Sequence, residues 1–199
     1  MKTKTLLIIS LAAIVPIMET IAQENGRKHE ISIGAGIWST GNLAFTLSDA
    51  FINAIDIAGD VQLENRSASP VYHVSYKHFP NRKLAIGVTL AAGTEKATGR
   101  DENQHNGKLK RSYANIAIEP AYYYLNREKF KLYGLVGVGL LYLYQNYTPN
   151  NGKEKDQSLY AADFQVTPIG IKVGNAIGGY LEAGIGYKGI ISCGFFCRF

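Results

Sequence analysis

The chain has 199 residues, 46% of them hydrophobic and 11% aromatic, with 21 Gly, 13 Tyr and a formal net charge of +5. That length suits one domain, and few prolines with moderate charge exclude disorder. Abundant Gly and Tyr favour strands and turns over helices, and the mild, dispersed positive charge excludes nucleic acid as a partner.

Residues 1–22 read as a signal peptide. Lys2 and Lys4 open it, and Leu6 to Met18 is apolar apart from Ser10 and Pro16. Thr20-Ile21-Ala22 then offers a cleavage site, with Gln23 as the mature start. The run falls short of the ~20 residues a spanning helix needs and contains a proline, so cleavage is expected rather than anchoring. No Cys near the site suggests a lipid anchor. Loss of Lys2, Lys4 and Glu19 leaves a mature charge of about +4. No later stretch is apolar enough for a membrane helix. Residues 23–199 are therefore expected as one exported domain: periplasmic, secreted or a barrel.

Glu30 to Trp38 alternates, with Ile31, Ile33, Ala35 and Ile37 opposite Glu30, Ser32, Gly34 and Gly36. Period two marks a strand with one apolar face. Segment 39–69 follows as a long loop. Within it Phe51, Ile52 and Ile55 have helical spacing behind the possible cap Ser48-Asp49, which predicts a short helix. It would serve as a lid, a docking helix or a cover for the barrel rim, and rim cover is the simplest reading.

Val71 to Phe79 alternates again, with Tyr72, Val74 and Tyr76 opposite His73, Ser75 and Lys77. Residues 80–83 make a tight turn into Leu84, Ile86, Val88, Leu90 and Ala92. After a polar loop at 97–111, Ala114, Ile116, Ile118, Pro120, Tyr122 and Tyr124 oppose Tyr113, Asn115, Ala117, Glu119, Ala121 and Tyr123. A second tight turn at 126–129 precedes a strand from Phe130, with Val136, Val138 and Leu140 on one face and Lys131 on the other. Its end is apolar on both faces.

After a polar loop at 146–159, a strand from Tyr160 switches parity at Thr167-Pro168, as a β-bulge would require. A turn at 175–179 leads to Leu181, Ala183, Ile185 and Tyr187, opposite Glu182 and Lys188. A connection near Gly189 then enters Ile191 to Phe199. Tight turns alternate with long loops, the pattern of an outer-membrane barrel. An even strand count puts both ends on the tight-turn, periplasmic side. The fold class is thus expected to be all-β: an eight-stranded antiparallel transmembrane β-barrel with a short extracellular helix in the first long loop.

In such a barrel the apolar face meets lipid. Three features favour this inversion over a soluble sandwich. The apolar face is aliphatic in mid-strand and aromatic toward the ends, at Tyr122, Tyr124, Phe130, Tyr142, Tyr144 and Tyr187. The other face mixes small residues with isolated charges, as a narrow lumen needs. A lumen polar network of His73, Ser75, Lys77, Glu119, Lys131, Lys172, Glu182 and Arg198 is expected. The chain also ends on an alternating strand closed by Phe199.

The end Tyr187-Lys188-Gly189-Ile190-Ile191-Ser192-Cys193-Gly194-Phe195-Phe196-Cys197-Arg198-Phe199 resembles the C-terminal signal of outer-membrane barrels, which the barrel-assembly machinery reads. Phe195 and Phe199 carry that resemblance. Phe164 to Gly174 and Leu181 to Gly189 are similar to the small outer-membrane β-barrel proteins common in Bacteroidetes. More loosely, the chain resembles eight-stranded barrels of the OmpX and OmpW type. These resemblances imply a fold and a location, with outer-membrane lipid, lipopolysaccharide and the assembly machinery as partners. They imply no activity.

Other constellations have simpler readings. Cys193 and Cys197 lie four apart on one strand, ~13 Å between Cα atoms at ~3.3 Å rise, too far for a disulfide. No metal site or cofactor is expected. His73-Val74-Ser75 is similar to the His-x-Ser pair of outer-membrane lipid A deacylases, but both residues should face the lumen, away from lipid, as a hydrogen-bonded pair. The charges of loops 97–111 and 146–159 would be solvated, or would touch lipopolysaccharide phosphates. The expected function is therefore non-enzymatic: envelope support, or surface binding through extracellular loops. A narrow channel for small hydrophobic molecules, a lipid A-modifying barrel enzyme and a soluble lipocalin-like carrier are the alternatives.

Overall fold

The computed structural model describes residues 27–41, 62–100, 106–149 and 155–199. These form nine strands: β1 (His29–Ile37), β2 (Gln62–Ala68), β3 (Val71–His78), β4 (Leu84–Arg100), β5 (Asn106–Asn126), β6 (Phe130–Pro149), β7 (Lys155–Gly174), β8 (Ile177–Gly186) and β9 (Ile191–Arg198). All pairings are antiparallel, and β4 joins β5 to close the sheet.

β2 and β3 are one wall broken at Ser69-Pro70, since both pair with β4. Proline cannot donate to the ladder. Ser69 bridges the gap: its N–H donates to the Thr94 carbonyl at 2.8 Å, and its hydroxyl accepts from the Thr94 N–H at 2.9 Å. The barrel therefore has eight walls. In the turn before β4, the Asn81 side chain accepts from the N–H groups of Lys83 and Leu84 at 2.8 and 2.9 Å.

The register fixes the barrel's shape. Cross-strand neighbours run Tyr160, Tyr142, Ala114, Ala92, Tyr72, Ala35, Cys193, Leu181 and back to β7 at Ile171. One circuit thus descends β7 from Tyr160 to Ile171, and one of those steps is the bulge. The expected bulge at Thr167-Pro168 is present, where the ladders of β7 with both β6 and β8 shift register. A shear of about ten across eight strands tilts them by roughly 40°.

The wall heights are unequal. β8 pairs with β7 only from Gln165 to Gly174, which leaves residues 155–164 of β7 standing above it. At ~3.3 Å rise and ~40° tilt that overhang is roughly 25 Å. β2, β4, β5, β6 and β7 form a tall wall, while β8, β9 and β1 form a low one.

Side chains alternate between the two surfaces except at the bulge and after Gly186. Val88, Ile118 and Val138 point outward, 45, 57 and 69% exposed, whereas Glu119 is fully buried. Small inward residues such as Ala85, Ala117 and Ala121 make room for the larger ones.

Three expectations change. The segments read as loops at 97–111 and 146–159 are largely strand, because β4 runs to Arg100, β5 starts at Asn106, β6 runs to Pro149 and β7 starts at Lys155. Likewise β2 lies inside the expected first loop, and β8 begins within the expected turn 175–179. A strand whose outer face is polar keeps its backbone ladder and loses the apolar alternation that makes it legible, even though Ala97, Leu109 and Arg111 are buried. Tyr187 is not on the outer girdle but 1% exposed inside the barrel. β8 ends at Gly186, whose φ of 145° turns the chain and sends Tyr187 and Lys188 both inward. The signal segment 1–22 and the proposed loop helix with Phe51, Ile52 and Ile55 lie outside the described residues.

Candidate functional site

The lumen gathers the polar face of every wall. At the tight-turn end, Glu30 of β1 is fully buried between two cations. It pairs with Lys172 of β7 and accepts from Arg198 of β9 at 3.0 and 3.2 Å. Aromatic rings pack around these charges. The Arg198 guanidinium lies 4.0 Å from the Phe79 ring centre, and Lys172 lies 5.0 Å from Tyr133 and 5.2 Å from Phe196. Tyr123 stacks on Tyr133 at 5.0 Å and tilts against Phe79 at 5.3 Å. At the rim the Lys131 ammonium donates to the carbonyls of Glu128 and Gly174 at 2.8 and 3.0 Å.

A second cluster fills the middle. Glu119 accepts from Lys188 at 2.8 Å and from the Tyr187 hydroxyl at 2.7 Å, with Lys77 at 3.6 Å. Glu182 accepts from the Tyr133 hydroxyl at 2.6 Å and from Lys188 and Ser192 at 3.3 Å each. Tyr133 thus joins the clusters, its ring beside Lys172 and its hydroxyl on Glu182. Buried charges persist only when paired and hydrogen-bonded, and Glu119, Glu182 and Lys188 meet both conditions.

Above this lies an apolar layer of Val71, Ala91, Tyr113, Ala117, Leu141 and Tyr187. The inward Leu141 explains why β6 reads as apolar on both faces. Over the layer, Asp163 accepts from Asn115 at 2.9 Å and from Thr40 at 2.8 and 3.0 Å. Arg111 sits 3.8 Å from Glu95 and donates to Gln145 at 3.0 Å.

All eight expected lumen residues are buried inside the barrel. His73 and Ser75 do not bond to each other: Ser75 shares a 2.8 Å hydrogen bond with Thr89, and neither ring nitrogen of His73 has a partner among the described residues. Residues two apart on a strand share a face but stand ~6.6 Å apart, so a partner across the strand wins. Glu30, Lys188, Tyr133 and Tyr187 are members the expectation left out. Glu30 has the lumen parity of β1 and was legible; Lys188 and Tyr187 depend on the turn after Gly186. Phe195 points outward, 71% exposed, while Phe199 exchanges two 2.8 Å backbone hydrogen bonds with His29. Cys193 and Cys197 are not joined by a disulfide. Among the described residues no group of three or more His, Cys, Asp or Glu could hold a metal.

No family model and no curated protein matches the chain. Among solved structures it is similar to the N-terminal β-barrel domain of Pseudomonas aeruginosa OprF, at 12% identity and TM-score 0.43, over 87% of this chain and 98% of that one. It is also similar to Yersinia pestis Ail, the attachment invasion locus protein, in complex with the heparin analogue sucrose octasulfate. That match has 12% identity and TM-score 0.42, over 86% of this chain and 95% of the other.

Proposed function

We propose that this chain is a non-enzymatic outer-membrane β-barrel protein with a sealed lumen and a tall outer wall that serves surface binding. The observation that carries this reading is the inversion of the two surfaces. Ile33, Val88, Ile118, Val138 and Leu140 cover the outside, while Glu30, Glu119, Glu182, Lys77, Lys172 and Lys188 are buried within. In water such an outside would far exceed the few hundred Å² of apolar patch that soluble monomers tolerate. In hydrocarbon it is what a closed barrel requires. Export by the segment 1–22 and assembly through Phe195 and Phe199 belong to the same reading, as do outer-membrane lipid and lipopolysaccharide as partners.

The interior argues against the alternatives. Ion clusters and stacked rings span the lumen where a hydrophobic solute would have to pass. A lipocalin-like carrier needs an apolar cavity in their place. Ser75 is engaged by Thr89 rather than activated by His73, which removes the arrangement a lipid A hydrolase would use.

The tall wall is what such a protein offers to its surroundings. Above Phe164, β7 is followed by no further strand among the described residues. The Phe164 carbonyl accepts from Tyr187 on that side, so alternate residues Ala162, Tyr160 and Ser158 aim their backbone groups the same way. Fractionation tests the location: the protein should remain with outer membranes and change gel mobility on boiling. Recovery in the soluble periplasm refutes it, and discrete conductance steps in planar bilayers refute the seal.

A further inference from the structure

Going up the outer surface of β4 and β5, cross-strand pairs run Val88–Ile118, Leu90–Ile116, Ala92–Ala114, Thr94–Ser112 and Lys96–Lys110. Their side chains lie on the outer surface, all exposed except the half-exposed Ser112. The column therefore passes from branched aliphatic, through small apolar and hydroxyl, to paired cations. The Ala92–Ala114 row is flanked by Tyr72 of β3 and Tyr142 of β6, which leaves a shallow apolar trough between two rings.

Lys96 and Lys110 are directly opposed, with Cβ atoms about 5 Å apart by strand geometry. Like charges so placed repel unless an anion sits between them. Neither lysine has an ion-pair partner among the described residues. Height selects the anion. From Leu84, at the foot of β4, to Lys96 the wall rises roughly 30 Å along the barrel axis. The apolar band of an outer-membrane barrel is ~25 Å tall, so the two ammonium groups stand a few ångströms above hydrocarbon, at the headgroup layer.

We propose that Lys96 and Lys110 clamp the phosphoryl group of an outer-leaflet lipid whose acyl chain lies in the Ala92–Ala114 trough. The inference rests on the outer-membrane reading. A lipid is favoured over free phosphate because the trough lies directly beneath the cations. Thr94 and Ser112 supply hydroxyls at the level between phosphate and chain.

The test uses the full barrel in neutral detergent, with binding of dioctanoyl phosphatidic acid measured by native mass spectrometry. Dioctanoylglycerol and inorganic phosphate are the comparison probes. At about 1 kcal/mol per lysine, K96Q/K110Q should weaken phosphatidic acid about 30-fold. K83Q/K129Q, which removes two exposed lysines at the opposite rim, should leave it unchanged. Phosphatidic acid should also protect Lys96 and Lys110 from acetylation. Equal affinity in K96Q/K110Q overturns the clamp, and so does inorganic phosphate binding as tightly as phosphatidic acid. Failure of the wild-type barrel to insert into vesicles overturns the outer-membrane reading and the clamp together; normal insertion with no difference between variants overturns the clamp alone.

Discussion

Replacing Glu119 by Ala tests whether the lumen is as dry as its packing implies. The carboxylate is fully buried and holds Lys188 at 2.8 Å, Lys77 at 3.6 Å and the Tyr187 hydroxyl at 2.7 Å. Removing it leaves the ammonium groups of Lys77 and Lys188 without that carboxylate, and among the described residues Glu182, at 3.3 Å, is the one left to compensate Lys188. Breaking a buried ion pair from one side costs about 3–5 kcal/mol, and the surviving contact to Glu182 favours the lower end. With a urea slope of about 2 kcal/mol per molar, the unfolding midpoint in vesicles should fall by roughly 1.5–2 M. Heat-modifiable gel mobility reads the folded fraction. The combination K77M/E119L/E182Q/K188M should recover most of the loss, because it removes both ammonium groups together with both carboxylates that hold them. A shift below about 0.3 M for Glu119→Ala would mean that water solvates these groups in the native lumen, and the seal would have to be abandoned.

Three shorter expectations follow from other walls. Val138→Arg puts a charge on the exposed apolar belt and should cost about 2–4 kcal/mol of folded-state stability in bilayers, whereas Ser158→Arg, higher on the tall wall, should be neutral; equal folded yields contradict the inversion. Gly189 has φ +96° and a Cβ there would lie 2.2 Å from the Ile37 carbonyl, so Gly189→Val should destabilise by about 1–3 kcal/mol in thermal unfolding. Deleting Phe199 removes its paired hydrogen bonds and its ring stack with His29 at 5.8 Å, so the barrel should close more slowly in refolding. An unchanged rate places closure elsewhere.

Within the described barrel the alternation was legible because it has a single physical cause. Each wall carries an apolar outer face over a packed polar interior, so Ile116, Ile118 and Pro120 against Asn115, Ala117 and Glu119 state the face of β5 outright. Pro168 marked the bulge for an equally local reason, its missing donor. The tall wall was hidden because residues such as Thr94, Glu95 and Lys96 meet no hydrocarbon, and polar side chains on both faces look like a loop. His73 and Ser75 were placed on the right face, but their partners come from register. Ser75 meets Thr89 because β3 and β4 align them, and no spacing along β3 records that.

The seal and the low wall are one feature. β8 stops at Gly186 opposite Gln165, so its turn sits deep enough for Lys188 to reach Glu119 and Glu182. The turn is pinned there. The Gln165 side chain accepts from the Lys188 N–H at 2.9 Å, and the Ile190 N–H donates to the Ile37 carbonyl at 2.8 Å. Gly36 permits the approach, since a Cβ at that position would fall 1.8 Å from the Lys188 carbonyl. If β8 and β9 were as long as β7, the ammonium would be carried roughly 25 Å away from its carboxylates. Even two residues inserted on each side of the turn would raise it by about 5 Å, most of the length of a lysine side chain. That insertion should therefore destabilise the barrel about as much as Lys188→Ala and raise ion leakage from loaded vesicles, although it deletes no side chain. If the lengthened barrel stays as tight and as stable as the original, the pairing at Lys188 is not what closes the lumen.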